Sequence, residues 1–474
     1  MVGRPMRRLS FGARIVDTVG DISVGTPARF AIGVFALLVG LFTVLFSLPA
    51  ATASGRGAPF VDALFTAISV VCVTGLSTVD MAGFWSPFGH VLVFVGVEIG
   101  GIGVLTLASI LGLIISRRLG LRQKLVAAGD ANPLRLHRGP VAEGQAVRLG
   151  ETGGLLITVA TSVLVIEAAV AVLLFPRMLL AGVDPWTAAW QSVYTAAMAF
   201  TNTGFLPATD GLAPYAHDVW FLVVLMIGVT FGAIGFPVLY ALRRSWRTPR
   251  RWSLHVKLTL ATFGILLVGG AFAYFTIESG NPATIGNDDP GQRILQSFFL
   301  SSMARSGGFS TFDTGQLGGA GLLVTDMLMF IGGGSASTAG GIKVTTLAVL
   351  FIAAFAEARG FDDMDAAGRR IPNDVLRVAV SVVLWGATIV AGSTITLLMI
   401  TGAPLDRVLF DAISAFATCG LSTGFTASAP DAAQYVLAAT MFMGRIGTVT
   451  LAAAVAASSS RRLYHRPEER PIVG

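Results

Sequence analysis

One pattern recurs four times along this chain and constrains what it can fold into. Gly75, Gly204, Gly308 and Gly420 each have an aromatic residue ten positions earlier (Phe65, Tyr194, Phe298, Phe410) and Leu or Phe immediately after. The four copies read CVTGLST, TNTGFLP, RSGGFST and ATCGLST. An internal repeat fixes architecture before any local assignment does. The apolar run ahead of each glycine is about a dozen residues, roughly half of what crosses a ~30 Å hydrocarbon core. Such a run enters the membrane and turns back. A re-entrant helix ending in a glycine-bearing extended segment is how ion pores aim backbone carbonyls at a dehydrated cation. Four amphipathic helices with glycine C-caps would be the plainer reading, but it leaves the identical spacing unexplained.

Hydrophobic residues make up 54% of the 474 and charged ones 13%. That excludes an ordinary soluble domain and indicates one polytopic membrane unit. Full-length apolar segments alternate with the re-entrant runs. Phe30–Ala50, the Phe60 hairpin and Phe88–Ile115 form a first unit, and Leu155–Leu180, the Trp186 hairpin and Val219–Leu242 a second. Leu258–Ile277, the Ile294 hairpin and Gly321–Phe355 form a third, and Val375–Ile400, the Val408 hairpin and Ala433–Ala457 a fourth. The expected fold is all-α, with eight transmembrane spans in four parallel helix–pore-helix–helix repeats around a pseudo-fourfold axis. In residue ranges these are a basic N-terminus (1–28), repeats at 29–116, 153–242, 258–357 and 375–457, linkers at 117–152, 243–257 and 358–374, and a C-terminus at 458–474.

Of the 33 Lys and Arg residues, 26 fall on one face, in the N-terminus through Arg29, Arg117–Arg148, Arg243–Lys257, Arg359–Arg377 and the C-terminus, and only Arg56, Arg177, Arg293, Arg305 and Arg407 in the opposite loops. By the positive-inside rule both termini are cytoplasmic and the glycines face outward. The basic balance follows topology and does not point to nucleic acid. The outer loops carry twelve acids, Asp62, Asp80, Asp184, Asp210, Asp218, Glu278, Asp288, Asp289, Asp313, Asp406, Asp411 and Asp431. They read as a mouth that concentrates cations; Asp184 and Asp406 read equally well as helix N-caps.

The filter residues are Val73, Thr74, Gly75; Asn202, Thr203, Gly204; Ser306, Gly307, Gly308; and Thr418, Cys419, Gly420. They are expected to act through backbone oxygens, with glycine where inward-pointing carbonyls need dihedrals that penalise a Cβ. Cys72 and Cys419 read as small packing residues, and Arg305 as a tether pointing into the protein. In the third repeat the inner segment is interrupted by Gly332, Gly333, Gly334, Ser335, Ala336, Ser337, Thr338, Ala339, Gly340 and Gly341, ahead of Lys343. So many glycines do not sustain a helix, and non-helical backbone at membrane depth survives only against protein or a water-filled cavity. With the partner segments of the other repeats read as unbroken, residues 332–341 are expected to form an intramembrane gate. A phosphate-binding loop is excluded because Ile342 separates the last glycine from Lys343 and an apolar span, not a strand, precedes. Arg445, inside the last span, is expected to bond the gate carbonyls; pairing with an acid such as Asp326 is the alternative. Glu98, in GVEIGGIG, is expected to line the inner cavity as a candidate for ion coupling, and Glu167 to join helices.

These motifs resemble the Trk/Ktr/HKT superfamily of potassium transporters, most closely its KtrB membrane subunits. The resemblance runs from Phe30 to Ala457 and is carried by CVTGLSTVD (72–80), TNTGF (201–205), RSGGFSTFD (305–313), TCGLSTGF (418–425), MFIGGGSASTAGGIKVTT (329–346) and MFMGRIG (441–447). It implies potassium as substrate, no cofactor on this chain, a homodimer in the cytoplasmic membrane, and a KtrA-like cytosolic ring binding ATP or ADP. Sodium activates some members, and Gly75 matches the potassium-selective pattern. Glu98 and the Gly/Ala-rich gate depart from the family pattern. Rival readings are a sodium- or proton-coupled potassium symporter and a membrane-embedded enzyme. The five scattered histidines, with no HExxH and no nucleophile elbow, speak against the enzyme.

Overall fold

A computed structural model describes residues 27–103, 152–361 and 363–447. Most of the N-terminus expected at 1–28, the C-terminus at 458–474, most of the 117–152 linker and the ends of the first and fourth inner spans lie outside the described residues.

The first repeat contains α1 (Pro27–Phe46), α2 (Phe60–Val71) and α3 (Pro87–Gly103). In the second, α4 (Thr152–Leu180) is followed by α5 (Pro185–Thr201), α6 (Val219–Ile234) and α7 (Phe236–Ser245). The third runs through α8 (Leu254–Glu278), α9 (Pro290–Met303), α10 (Gly319–Phe330) and α11 (Val344–Ala358). The fourth has α12 (Asn373–Thr401), α13 (Leu405–Ala417) and α14 (Asp431–Phe442), with a π-helical turn at Met443–Gly447. The segment between the third and fourth repeats holds a small antiparallel hairpin of Met364–Ala366 and Arg369–Ile371 that the sequence reading treats as plain loop.

The short helices α2, α5, α9 and α13 have 12, 17, 14 and 13 residues. At 1.5 Å per residue they reach roughly 18–26 Å, too short to cross a bilayer fully. Each packs on the long helix that precedes it in its own repeat, as α2 does on α1 and α13 on α12. Each also receives the inner helix of the previous repeat: α6 lies on α9, α10 on α13 and α14 on α2. Phe94 of α3 completes the circle, with ring centroids 5.9 Å from Trp190 and 6.3 Å from Tyr194 of α5. The four repeats therefore close into a ring.

Apolar surface points outward, as lipid requires. On α8, Ile265, Val268 and Phe272 form a helical stripe that is 70, 58 and 69% exposed. The buried shell is concentrated around the short helices, where Phe65, Tyr194, Phe299 and Phe410 are at most 1% exposed. Among the described residues, three helices are long and apolar enough to cross a membrane, or four if α6 and α7 count as one broken span. These are fewer than the eight spans expected, because α1 and α3 are apolar but short within the described residues, α10 and α11 are separated by a loop, and α14 ends in the π-turn.

The second inner segment corrects one expectation. It is not unbroken: α6 and α7 meet at 103° around Gly235, which has φ +89°. Only glycine adopts that dihedral freely, and Pro237 just after it has no N–H to continue the ladder. The bend makes room for the third repeat's loop, since Phe236 N–H donates to the Ala336 carbonyl at 3.1 Å.

Candidate functional site

Pore-helix C-termini converge at the centre of the ring, and the chain leaves all four in the same way. The residue two before each filter glycine, Val73, Asn202, Ser306 or Thr418, is left-handed, with φ of 57°, 62°, 72° and 45°. The glycines themselves have φ of 88°, 82°, 74° and 93°. In three repeats the intervening residue donates its N–H five residues back, from Thr74 to Ser69 O, Thr203 to Met198 O and Cys419 to Ser414 O, at 2.7–2.9 Å. The third repeat reaches the same end differently, with Gly307 N–H bonded to Met303 O at 2.7 Å. Left-handed backbone costs a non-glycine residue roughly 1–2 kcal/mol, most awkwardly for β-branched Val73 and Thr418. Four such residues at equivalent positions mark a shared functional backbone.

The glycines are packed against one another's repeats. A Cβ on Gly420 would stand 2.6 Å from Thr74 O and 3.0 Å from Thr203 O. On Gly308 it would stand 2.6 Å from Cys419 O and 2.9 Å from Thr203 O, and on Gly204 2.6 Å from the Gly308 carbonyl carbon. On Gly75 it would run into Thr203 O. Carbonyl oxygens from all four repeats thus crowd one small volume, while Val73, Thr74, Asn202, Thr203, Ser306, Thr418 and Cys419 are fully buried. The ends of four helix dipoles add negative potential there.

A second glycine set holds the inner helices against this ring. A Cβ on Gly100, Gly232 or Gly444 would strike the carbonyl of Val71, Phe200 or Phe416, each four residues before its own filter glycine. Sequence reasoning missed both this set and the left-handed residues. The first was visible as a glycine in each of these inner segments; the second leaves no residue-type signal, because Val, Asn, Ser and Thr share none.

The loop between α10 and α11 fills the space behind the filter. Its ends meet, with Ile331 bridged to Ile342 and Val344 N–H bonded to Gly333 O at 3.0 Å. From there it bonds to the second and third repeats, packs on the fourth, and brings the Thr338 methyl up to Gly101 of the first. Gly334 N–H donates to Ala233 O at 2.7 Å, and Thr338 N–H to Gly232 O at 3.2 Å. The Thr338 hydroxyl reaches Asn202 Oδ1 and Phe200 O, Gly340 N–H donates to Ser306 Oγ at 3.1 Å, and the Ser306 hydroxyl donates to Thr418 O at 2.9 Å. Gly340 lies so close to the Ala417 carbonyl that a Cβ would collide with it. Within the loop, Ser337 Oγ donates to Gly334 O at 2.6 Å, Ser335 Oγ lies 3.0 Å from Thr345 Oγ1, and Lys343 Nζ donates to Ala339 O at 2.6 Å. Gly332 and Gly341 stand where the two ends of the loop cross. Ala336 is itself left-handed, with φ 53°.

Arg445 of the π-turn is 3% exposed and donates through Nη1 to the Thr338 carbonyl; its Nε and Nη2 have no acceptor among the described residues. It contacts the loop and not Asp326. Arg305 is fully buried and turned away from the filter, its guanidinium 3.7 Å from the Phe263 ring centroid and its Nη1 donating to Phe263 O at 2.9 Å. Cys72 and Cys419 are buried free thiols, the latter contributing its carbonyl to the ring.

The acids divide into different roles. Asp184 caps α5 through Trp186 and Thr187 N–H; Asp289 caps the pore helix α9, Asp218 the inner helix α6, and Asp80 and Asp313 short helical turns, whereas the N-cap of α13 is Pro404 and not Asp406. Asp411 and Glu278 do not belong to an open mouth, since they are 0 and 1% exposed. Asp411 accepts from Ser422, Thr423 and Thr426 and so ties down the segment beyond the fourth filter. Glu98 does not line a cavity either. It is 9% exposed and lies at the α3–α4 seam facing Glu167.

The family model described as "Cation transport protein", TrkH, matches residues 30–463. Ktr system potassium uptake protein D of Bacillus subtilis is 34% identical over 98% of this chain and all of its own length. Ktr system potassium uptake protein B of Vibrio alginolyticus is 32% identical over 91% of both chains. The crystal structure of the potassium transporter TrkH from Vibrio parahaemolyticus superposes with a TM-score of 0.68, covering 90% of this chain and 83% of that one at 18% identity, which establishes a common fold.

Proposed function

Since the chain belongs to the TrkH family of cation transport proteins, a family of transporters and not of enzymes, we propose that it takes up potassium across the cytoplasmic membrane through the carbonyl ring at Gly75, Gly204, Gly308 and Gly420. The observation that carries this reading is the convergence of carbonyls from all four repeats on one volume, with glycine wherever a side chain would obstruct it. Carbonyl oxygens replace the hydration shell of a large monovalent cation without demanding a proton or a counter-charge. The names of the relatives, both potassium uptake proteins of Ktr systems, support potassium as the ion.

In this reading residues 332–341 close the path behind the filter, held by Thr338, Gly340, Lys343 and Arg445. The Arg445 charge adds an electrostatic barrier while the loop is in place. Opening displaces the loop, at the cost of its hydrogen bonds to the second and third repeats. The relatives' designation as members of a system supports a cytosolic KtrA-like ring that binds ATP or ADP and supplies that work, acting on a homodimer with both termini in the cytoplasm. Potassium moves down its electrochemical gradient, and one glycine per repeat makes selectivity weaker than in filters with several stacked carbonyl rings.

The test is growth and rubidium uptake in cells lacking their own potassium uptake systems, with and without a cognate cytosolic subunit. Rescue at low external potassium by the wild type, and loss of potassium-over-sodium preference in Gly75→Ser, are the expected results. Equal permeability of the wild type to both ions would overturn the potassium assignment.

A further inference from the structure

Two carboxyl groups face each other in the seam between the first and second repeats with no donor to join them. Glu98 lies on α3, one turn beyond Phe94, which packs on α5 of the second repeat. It stands two residues before Gly100, which abuts the end of the first pore helix, so its depth is that of the filter base. Glu167 lies near the middle of α4, inside the apolar stretch Val159–Leu180. The two side chains are 9 and 6% exposed. Both oxygens of Glu98 and Oε1 of Glu167 are buried without a hydrogen-bond donor among the described residues. Each is the only charged group interacting with the other among the described residues. The packing beyond them is apolar, with Ile102 and Ile166 against Val159, Val163 and Phe200.

Ionised carboxylates only accept hydrogen bonds. Two of them buried face to face would carry two unpaired charges in an apolar seam, which protein interiors do not sustain without a cation or a proton. A single proton removes one charge and supplies the missing donor at the same moment. Among the described residues the site offers only carboxylate oxygens, without the six or more oxygen ligands, carbonyls among them, that a hard cation collects.

We propose that Glu98 and Glu167 form a proton-binding site: a carboxyl–carboxylate pair that holds a proton across the seam between the first two repeats, apart from the potassium path. Loss of the proton sets two like charges against each other where α3 meets the second repeat. Because α3 also bears on the first pore helix through Gly100, the seam's protonation state is felt at the filter, and transport becomes sensitive to pH.

Infrared difference spectroscopy on the lipid-reconstituted full chain tests the site directly and does not depend on which ion is carried. At neutral pH the wild type is expected to show a protonated-carboxyl C=O band that disappears on alkaline titration and is missing from the Glu98→Gln/Glu167→Gln double variant. Each single glutamine variant retains a hydrogen-bonding side chain of the same shape, and is expected to remain monodisperse by size exclusion and to shift that band. Rubidium flux should change across the alkaline range in the wild type and be flat in the double variant. Identical carboxyl bands in the wild type and the double variant would overturn the proposal, since both groups would then be ionised. So would a flux that keeps its full pH dependence after both substitutions.

Discussion

The Thr338 hydroxyl lies 2.8 Å from Asn202 Oδ1, with the Phe200 carbonyl at 3.0 Å as its other acceptor. A loop belonging to the third repeat is thereby hydrogen-bonded to the base of the second repeat's filter. Thr338→Val keeps the shape of the side chain and removes that donor. A buried hydrogen bond is worth about 1 kcal/mol, so the closed state should lose about fivefold in its equilibrium constant. Single-channel or liposome flux recordings should show a correspondingly higher basal leak with selectivity intact; an unchanged leak would count against the loop as gate.

Arg445 and Thr338 form the other half of that latch. Arg445→Ala removes a charge-assisted hydrogen bond worth roughly 1.5–3 kcal/mol. Basal flux is expected to rise by tenfold or more. Arg445→Lys should recover little of the closure, because a lysine ammonium lacks the planar fork that reaches the carbonyl from the π-turn. Equal flux in the wild type and both variants would remove Arg445 from the gate.

Gly204→Ala would place a methyl 2.6 Å from the Gly308 carbonyl carbon at a φ of +82°. The left-handed penalty of roughly 1–2 kcal/mol adds to an overpacking cost of about 1–3 kcal/mol. Thermal unfolding in detergent should move several degrees lower, with potassium protection reduced. Gly264→Ala has open space around its Cβ and ordinary helical φ, and serves as the matched control that should leave both unchanged.

Asp411 accepts bonds from three residues that follow the fourth filter, including Thr426 N–H at 2.9 Å and Ser422 Oγ at 2.7 Å. Asp411→Ala strips them all and leaves buried donors unpaired, a loss of about 3 kcal/mol or more. Reduced thermal stability together with a changed potassium-to-sodium ratio is expected. A stability loss with an unaltered ratio would confine Asp411 to folding.

Gly235 carries the bend that receives the loop, and its Cβ would lie 2.5 Å from the Ser335 carbonyl. Gly235→Ala therefore should not straighten the helix without expelling the loop. Cysteine cross-linking between α7 and the loop, compared with and without the substitution, reads that displacement. Retention of full cross-linking efficiency would show that the bend and the loop are independent.

How far the sequence alone reached depended on whether a property was local. The pore helices and their glycines were readable because the aromatic-to-glycine interval and the φ requirement both lie within one short segment. The loop at 332–341 was readable because its glycines cannot continue a helix. By contrast, the break at Gly235 looked like an ordinary apolar span, since its cause includes the Ser335 and Ala336 carbonyls about a hundred residues away. The seam of Glu98 and Glu167 joins two repeats, and neither residue advertises the other. Asp411 read as an exposed mouth acid because its hydroxyl donors come from a turn whose path follows the filter. Val73 and Thr418 adopt left-handed backbone only because the pore helices and their neighbours enforce it.

The bridge between Ile331 and Ile342 gives the loop a mechanical property of its own. Both strands of its neck leave the helical scaffold from one point, so it behaves as a stopper on a short leash. It can be drawn aside while α10 and α11 keep their places. In the proposed gating, sealing and unsealing the pore would move about a dozen residues against a stationary wall, and the geometry of the carbonyl ring would not be rebuilt at each cycle.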